Sequence, residues 1–251
     1  MRIDIVTLMP DWVESLRHYG VTGRALRDGL VDLRCWTPRD FTDRSDGRVD
    51  DRSYGGGPGM VMQAAPLRAC LDAIADDAGG GGGPTLLMSP QGVSLDQPLA
   101  ARLAGEPGLR IICGRYEGID QRFVDARIDL EISVGDFVLS GGELPAMLLV
   151  DAIARLQPGA LGDSTSAAQD SFSHGLLDHP HYTRPAADEA GDVPAILLSG
   201  DHGAIERWRL KQALGQTWLK RPDLLQRLAL SEAQTVLLRE FISELETGDG
   251  A

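Results

Sequence analysis

The sequence predicts an α/β protein built on a parallel sheet, followed by a small, mainly helical C-terminal domain. Three observations carry this. Apolar strand-like runs alternate with helix-like runs up to residue 156, the order that gives a parallel sheet with crossover connections. A small-residue, polar stretch over 158–175 has almost nothing to bury and marks a boundary. Beyond it, after a short apolar run, the chain reads as helices. With 43% apolar and 24% charged residues over 251 positions, the chain can bury a proper core.

In chain order, Arg2 to Leu8 reads as a buried strand. Pro10 ends it, and Asp11 is placed to cap a helix that starts near Trp12. Residues 31–36 (VDLRCW) read as a short strand. The charge-mixed stretch 39–52 has no period and reads as a loop that runs into YGGGPGM (54–60). Leu67, Cys70, Leu71 and Ile74 then share one helix face. AGGGGGP (78–84) has no side chains to pack and reads as a flexible surface connection without function.

Three strands follow. TLLM leads into SPQG (89–92), LRIIC into GRYEGID (114–120), and DLEIS into VGDFVLSGGELPAM (134–147). A helix is expected over 146–156. Ligands of parallel sheets sit at the carboxyl ends of strands, so three decorated strand ends point to one pocket. After the boundary come DHPHYTRP (178–185), an acidic loop, a short apolar run (193–200) and helices over 204–228. A last helix starts at a Ser231 cap. The expected division is a domain over 1–160, a linker over 161–176 and a helical domain over 177–251.

Composition excludes several functions. The formal charge of −13 rules out a whole-protein electrostatic grip on nucleic acid or an anionic membrane, but not a local patch. The stretch 204–227 holds Arg207, Arg209, Lys211, Lys220, Arg221 and Arg227 against only Glu206 and Asp223, with Trp208 and Trp218 interleaved. It suits polyphosphate docking. It equally suits a solvated helix face with its tryptophans in the core, which composition alone favours slightly. No run is long and apolar enough to span a membrane, and no signal-peptide pattern is present. Cys35, Cys70 and Cys113 are odd in number and scattered, as expected of buried free thiols in a reducing, cytoplasmic compartment.

No GxxxxGK[ST] motif occurs and no strand leads into GxGxxG, which argues against a P-loop and a dinucleotide fold. YGGGPGM suits close backbone approach to an anion. The glycines of LSGGELP suit a tight bend against a flat ligand. Ser140 sits in SGG rather than GxSxG, so a serine hydrolase is disfavoured. His179 and His181 lack a cysteine, a third histidine or a placed carboxylate, so no metal ligand is assigned. On spacing alone, Asp170 reads as a solvated linker carboxylate and Arg155 as a helix C-terminal charge.

Six motifs in order then carry a resemblance: VDDRSYGGGPGM (49–60), SPQG, GRYEGID, SVGDFVLSGGELPAM (133–147), DSFSHGLLDHPHYTRP (170–185) and ERWRLKQALGQTW (206–218). Over nearly its whole length the sequence resembles the bacterial tRNA (guanine-N1)-methyltransferases of the TrmD type. Ser53 stands where that family more often has proline, the glycine run 79–83 looks like an insertion, and the net acidity is unusual for a tRNA enzyme.

The resemblance implies a SPOUT-type parallel sheet with a deep trefoil knot that holds S-adenosylmethionine in a bent conformation. Carried over by motif, the cofactor contacts are Ser89, Pro90, Gln91, Gly114, Tyr116 and Glu117, then Val134, Gly135, Asp136, Phe137, Val138, Leu139, Gly141, Gly142 and Pro145. Glu117 matches the partner of the cofactor's amino group. The resemblance further implies a homodimer with the active site shared between subunits, and a guanosine at tRNA position 37 as the substrate. Asp170 matches the general base, Arg155 the group that stabilises charge on O6, and Arg207, Arg209 and Lys211 are the tRNA-binding candidates. The resemblance also admits Mg²⁺, although the sequence shows no dedicated cage for it. Two alternatives stay open. A non-catalytic RNA-binding protein explains the basic helices but not the glycine-marked strand ends. A related SPOUT methyltransferase for another base would share the knot but lack the 170–185 hinge and the helices after it.

Overall fold

A computed structural model describes residues 1–80, 82–162 and 169–247. Gly81 of the glycine run, the middle of the expected linker (163–168) and the tail 248–251 lie outside the described residues. The chain divides into two compact units, Met1–Ser164 and Thr165–Ala251.

The first unit is built on five strands: β1 (Arg2–Val6), β2 (Asp32–Trp36), β5 (Thr85–Ser94), β6 (Gly108–Cys113) and β7 (Leu130–Ser133). They lie in the order β2-β1-β6-β5-β7, every neighbouring pair parallel. Helices α1 (Pro10–Glu14), α2 (Gly20–Arg27), α3 (Ala64–Asp77), α4 (Gln97–Ala104), α5 (Gln121–Arg127) and α6 (Glu143–Ala154) connect them. Two cores form. Ile3, Ile5, Leu86, Leu109 and Ile111 pack with Leu26, Leu103, Leu149 and Ile153. Val6, Leu87 and Ile112 pack with Leu67, Leu71, Ile74 and Phe123. Burial on both faces is why the central strands carry apolar stretches such as 86–88 of β5 and 111–113 of β6. Asp4, buried on β1, is satisfied by a fork from Arg2 (2.7 and 2.8 Å) and by the Trp36 indole N–H (2.9 Å).

Several local expectations are corrected. Met9, not Asp11, occupies the N-cap of α1, because Pro10 already supplies the helical φ of the first turn. The stretch 39–52 is not featureless: a 3₁₀ turn spans Pro38–Phe41, and β3 (Asp50–Asp51) pairs antiparallel with β4 (Val61–Met62). SPQG is not a loop but the continuation of β5, whose register on β7 shifts between Met88 and Val93. Helix α6 begins at Glu143, three residues before the expected start, and ends at Ala154. The glycine run is not idle at its end. A Cβ on Gly83 would collide with the Gly108 carbonyl, and the Gly83 carbonyl accepts from Arg110 Nη2 at 2.7 Å.

The second unit holds a short hairpin, β8 (Ala187–Asp188) and β9 (Gly191–Asp192), and helices α7 (Ala195–Leu198), α8 (His202–Lys220), α9 (Pro222–Leu225) and α10 (Glu232–Thr247). Asp201 caps α8, accepting from the Ala204 N–H at 3.0 Å, and Pro222 starts α9 within the stretch 204–228 expected to hold helices. Ser231 caps α10 as expected. Its Oγ accepts from the Gln234 N–H (3.2 Å) while the Gln234 side chain accepts from the Ser231 N–H (2.9 Å), a reciprocal capping box. Helices α8 and α10 approach closely because Gly215 has no side chain where the Phe241 ring lies.

Candidate functional site

The carboxyl ends of β5, β6 and β7 converge on a cavity of about 470 Å³, within the usual range for small-molecule sites. Ser89, Pro90, Gln91, Gly114, Tyr116, Glu117, Val134, Gly135, Phe137, Val138, Leu139, Gly141, Gly142 and Pro145 all line it. Asp136 does not. The Phe137 N–H donates back to the Gly135 carbonyl at 3.0 Å, so Asp136 sits exposed at the apex of a three-residue turn, off the cavity wall.

Sequence reasoning missed what holds these loops in place. Glu143, completely buried at the start of α6, accepts from Arg115 Nε and from Thr7 Oγ1, each at 2.8 Å. Thr7 in turn accepts from the Met9 N–H at 2.9 Å. Arg115 also donates to the Ser140 carbonyl (3.2 Å), and its guanidinium lies over the Trp12 ring at 5.8 Å. One buried ion pair thus ties the ends of β1 and β6 to the 134–145 loop. Gly142 completes the clamp: its N–H donates to the Gly114 carbonyl at 2.9 Å, and a Cβ there would lie 2.7 Å from the Cys113 Cα. A Cβ on Gly141 would strike the Arg115 side chain. The end of YGGGPGM is sewn to the β6 loop as well, through Glu117 N–H to the Met60 carbonyl and Met62 N–H to the Gly118 carbonyl, both 2.9 Å. Tyr116 is held at φ 62, a left-handed conformation uncommon for a non-glycine residue.

The implied cofactor fits this cavity. Among the described residues, the backbone N–H groups of Val138, Leu139, Ser140 and Gly141 donate to no protein atom. They stand beside apolar walls from Leu87, Ile132 and Pro145. A flat, nitrogen-rich ring needs such donors and such walls. Mg²⁺ does not fit in the same way. Among the described residues the one grouping of three ligand-type side chains is Asp178, His179 and His181, and imidazoles suit Mg²⁺ poorly.

Arg155 occupies the C-cap of α6, its N–H on the Asp151 carbonyl at 3.2 Å. Pro145 lines the cavity near the other end of this helix, and the rise between them is about 15 Å, more than an arginine side chain spans. Leu144 and Leu148, 43% and 50% exposed, share the Arg155 face at helical spacing.

Asp170, in the second unit, is half-buried rather than freely solvated. It lines a pocket of about 300 Å³ with His174, Asp178, His179, Arg209 and Gln234. The basic stretch is less free than its composition implies. Arg207 pairs with Glu240 (2.7 Å), Lys211 with Glu244 (2.6 Å) and Arg209 with Glu206 (3.3 Å). Glu240 and Glu244 come from α10, which a count along the stretch itself omits. Trp218 is exposed, not in the core. The carboxylate that the histidine pair lacked in sequence is supplied by Asp178, 2.9 Å from His181 Nε2. Among the described residues no helix is long and apolar enough to cross a membrane.

Comparison with known proteins agrees with this geometry. The family described as tRNA (Guanine-1)-methyltransferase TrmD matches residues 1–227. Proteins named tRNA (guanine-N(1)-)-methyltransferase are similar over almost the full length. That of Methylococcus capsulatus is 57% identical over 98% of both chains, and that of Halorhodospira halophila 55% over 97% of this chain and 92% of its own. That of Serratia proteamaculans is 54% identical over 98% and 96%.

Proposed function

The chain belongs to the tRNA (guanine-1)-methyltransferase TrmD family, and from that premise we propose that it methylates N1 of guanosine 37, on the 3′ side of the tRNA anticodon. The observation that carries this reading is the convergence of three glycine-marked strand ends on one cavity with unused backbone donors. The 133–142 segment leaves β7 at the sheet edge and returns to dock Gly142 on Gly114 beyond β6. That course supports a trefoil knot.

In this reading the backbone of residues 138–141 faces the adenine, and Glu117 faces the amino group of S-adenosylmethionine. When bound, the cofactor supplies an electrophilic methyl group. The remaining chemistry falls to the protein. N1 of guanine carries a proton, so its lone pair is not free until a base removes it, and Asp170 takes that proton as the N1–methyl bond forms. Negative charge develops on O6, and the Arg155 guanidinium stabilises it. The target base must be unstacked to enter, which favours a loop nucleotide.

Two observations support a homodimer with shared sites. Arg155 is out of reach of the cavity along its own helix, and α6 carries exposed Leu144 and Leu148 on the Arg155 face. In the proposed dimer, Arg155 and the 170–178 hinge of one subunit complete the cavity of the other. Arg207, Arg209 and Lys211 are proposed to meet the anticodon stem-loop, where phosphates displace the carboxylates they now hold. The Arg207 and Arg209 pairs are exposed and of a kind worth about 0–1 kcal/mol, a low barrier to exchange, whereas Lys211 is largely buried beside Glu244.

Nucleoside mass spectrometry of an anticodon stem-loop transcript after reaction is expected to find 1-methylguanosine at position 37. Asp170→Asn should leave cofactor and tRNA affinity near normal and slow single-turnover transfer by roughly 10²–10⁴. A near-normal single-turnover rate would assign the N1 proton to another group.

A further inference from the structure

We infer that Asp178, His179 and His181, none of which lines the cofactor cavity of this chain, form a binding site for a divalent ion of borderline softness, of the Zn²⁺ class. One ligand atom from each residue lies within 4.8 Å of the other two. The nearer pairs, His181 Nε2 to Asp178 Oδ2 and His179 Nε2 to Asp178 Oδ1, are 2.9 and 3.7 Å apart. Ligand atoms on a tetrahedral zinc, with bonds of about 2.0–2.2 Å, stand about 3.4 Å from one another. The cluster brackets that spacing, and small side-chain rotations close it.

The orientation of His179 also suits a metal. Its Nδ1 lies 3.1 Å from the Pro180 carbonyl, an acceptor only, so Nδ1 donates there and Nε2 is the ring nitrogen turned toward Asp178. Backbone groups that orient the non-ligating nitrogen in this way are the usual support of a metal-bound histidine.

The segment that presents the ligands is anchored. The Asp178 N–H donates to Ser171 Oγ and the Leu177 N–H to Thr217 Oγ1 on α8, each at 2.9 Å. Access is open, since the His181 side chain is 70% exposed. Three protein ligands leave a fourth position for water or for an oxygen of whatever occupies the pocket that Asp178 and His179 share with Asp170.

The test needs no methylation assay. Full-length protein is stripped with a chelator, then titrated with Zn²⁺ by calorimetry and with Co²⁺ by visible absorption. The expected result is one equivalent per chain, not displaced by excess Mg²⁺. Trp208, its ring centroid 6.3 Å from that of His179, should report Co²⁺ binding as fluorescence quenching that Trp208→Phe removes. His179→Gln and His181→Gln should each weaken binding at least tenfold. His181 is exposed, so His181→Gln is expected to keep the wild-type melting curve and serves as the decisive variant. Absence of Zn²⁺ binding, or stoichiometric binding that His181→Gln leaves unchanged, would overturn the assignment and leave Asp178 as a hydrogen-bond partner of His181 alone among the two imidazoles.

Discussion

Glu143 is fully buried, and Arg115 with Thr7 are what make its burial tolerable. Removing one member of a buried ion pair strands the other, typically at about 3–5 kcal/mol. Arg115→Ala is therefore expected to lower the urea midpoint by about that much free energy and to abolish S-adenosylmethionine binding in a calorimetric titration. Thr7→Val, which removes one hydrogen bond and no charge, should cost less. Gly141→Val acts through the same pair, since its Cβ meets a flexible arginine side chain. It should fold yet lose the cofactor; normal binding would remove Arg115 from the account of the pocket. The cysteines behave oppositely, as inert filler. Burial pushes the Cys70 thiol up to about 12, and burial followed by the neighbouring Glu14 does the same for Cys35. Cys113, completely buried, is raised further. At pH 8 the thiolate fraction at Cys35 or Cys70 is then about 10⁻⁴, so native protein should resist a thiol reagent that labels all three residues after unfolding. Cys35 is only partly buried, against the expectation for all three, so it is rapid native labelling at Cys70 or Cys113 that would contradict the burial described.

At the level of elements, α8 and α10 are bridged by Arg207–Glu240 and Lys211–Glu244, each pair 33 positions apart in sequence. If RNA phosphates compete for these cations, Glu240→Gln with Glu244→Gln should tighten tRNA binding and steepen its salt dependence by up to about two phosphate contacts. Unchanged affinity and slope would reduce the two bridges to helix packing alone. Such long-range pairs explain where sequence reading stops. The central strands were legible because burial on both faces writes short apolar stretches, such as 86–88 and 111–113, and the Ser231 cap because its signal is local. Helices α4 and α5 also carry local signals, the Asp96 and Asp120 caps, but each is too short for a clear apolar period. The three cavity loops were legible as glycine-marked strand ends. Their clamp was not, since Arg115, Glu143 and Thr7 are unremarkable residues until the fold brings them together. The docking of Gly142 on Gly114, 28 positions away, is equally silent in one dimension.

For the molecule as a whole, the charge of −13 repels a polyphosphate at distance, so tRNA must be captured by short-range contacts within a Debye length of about 8–10 Å. The larger constraint is geometric. Pro145 at the cavity and Arg155 near opposite ends of one rigid helix cannot serve the same reacting atoms within a single copy. In the proposed two-fold dimer, burial of the Leu144–Leu148 face would bring Arg155 of each copy toward the cavity of the other. This makes a strict prediction for mixed subunits. A Gly141→Val chain keeps Arg155 and Asp170 but lacks a working cavity, whereas an Asp170→Asn chain keeps the cavity but lacks the base. Each homodimer should be inactive. After co-refolding in equal amounts, half of the dimers are mixed, and each mixed dimer holds one site with a sound cavity and a sound base. Activity should therefore return to about one quarter of wild type, rising with the mixed fraction separated on differential tags. If each chain instead catalyses alone, every site in the mixture carries a defect and the activity stays at the level of the inactive homodimers.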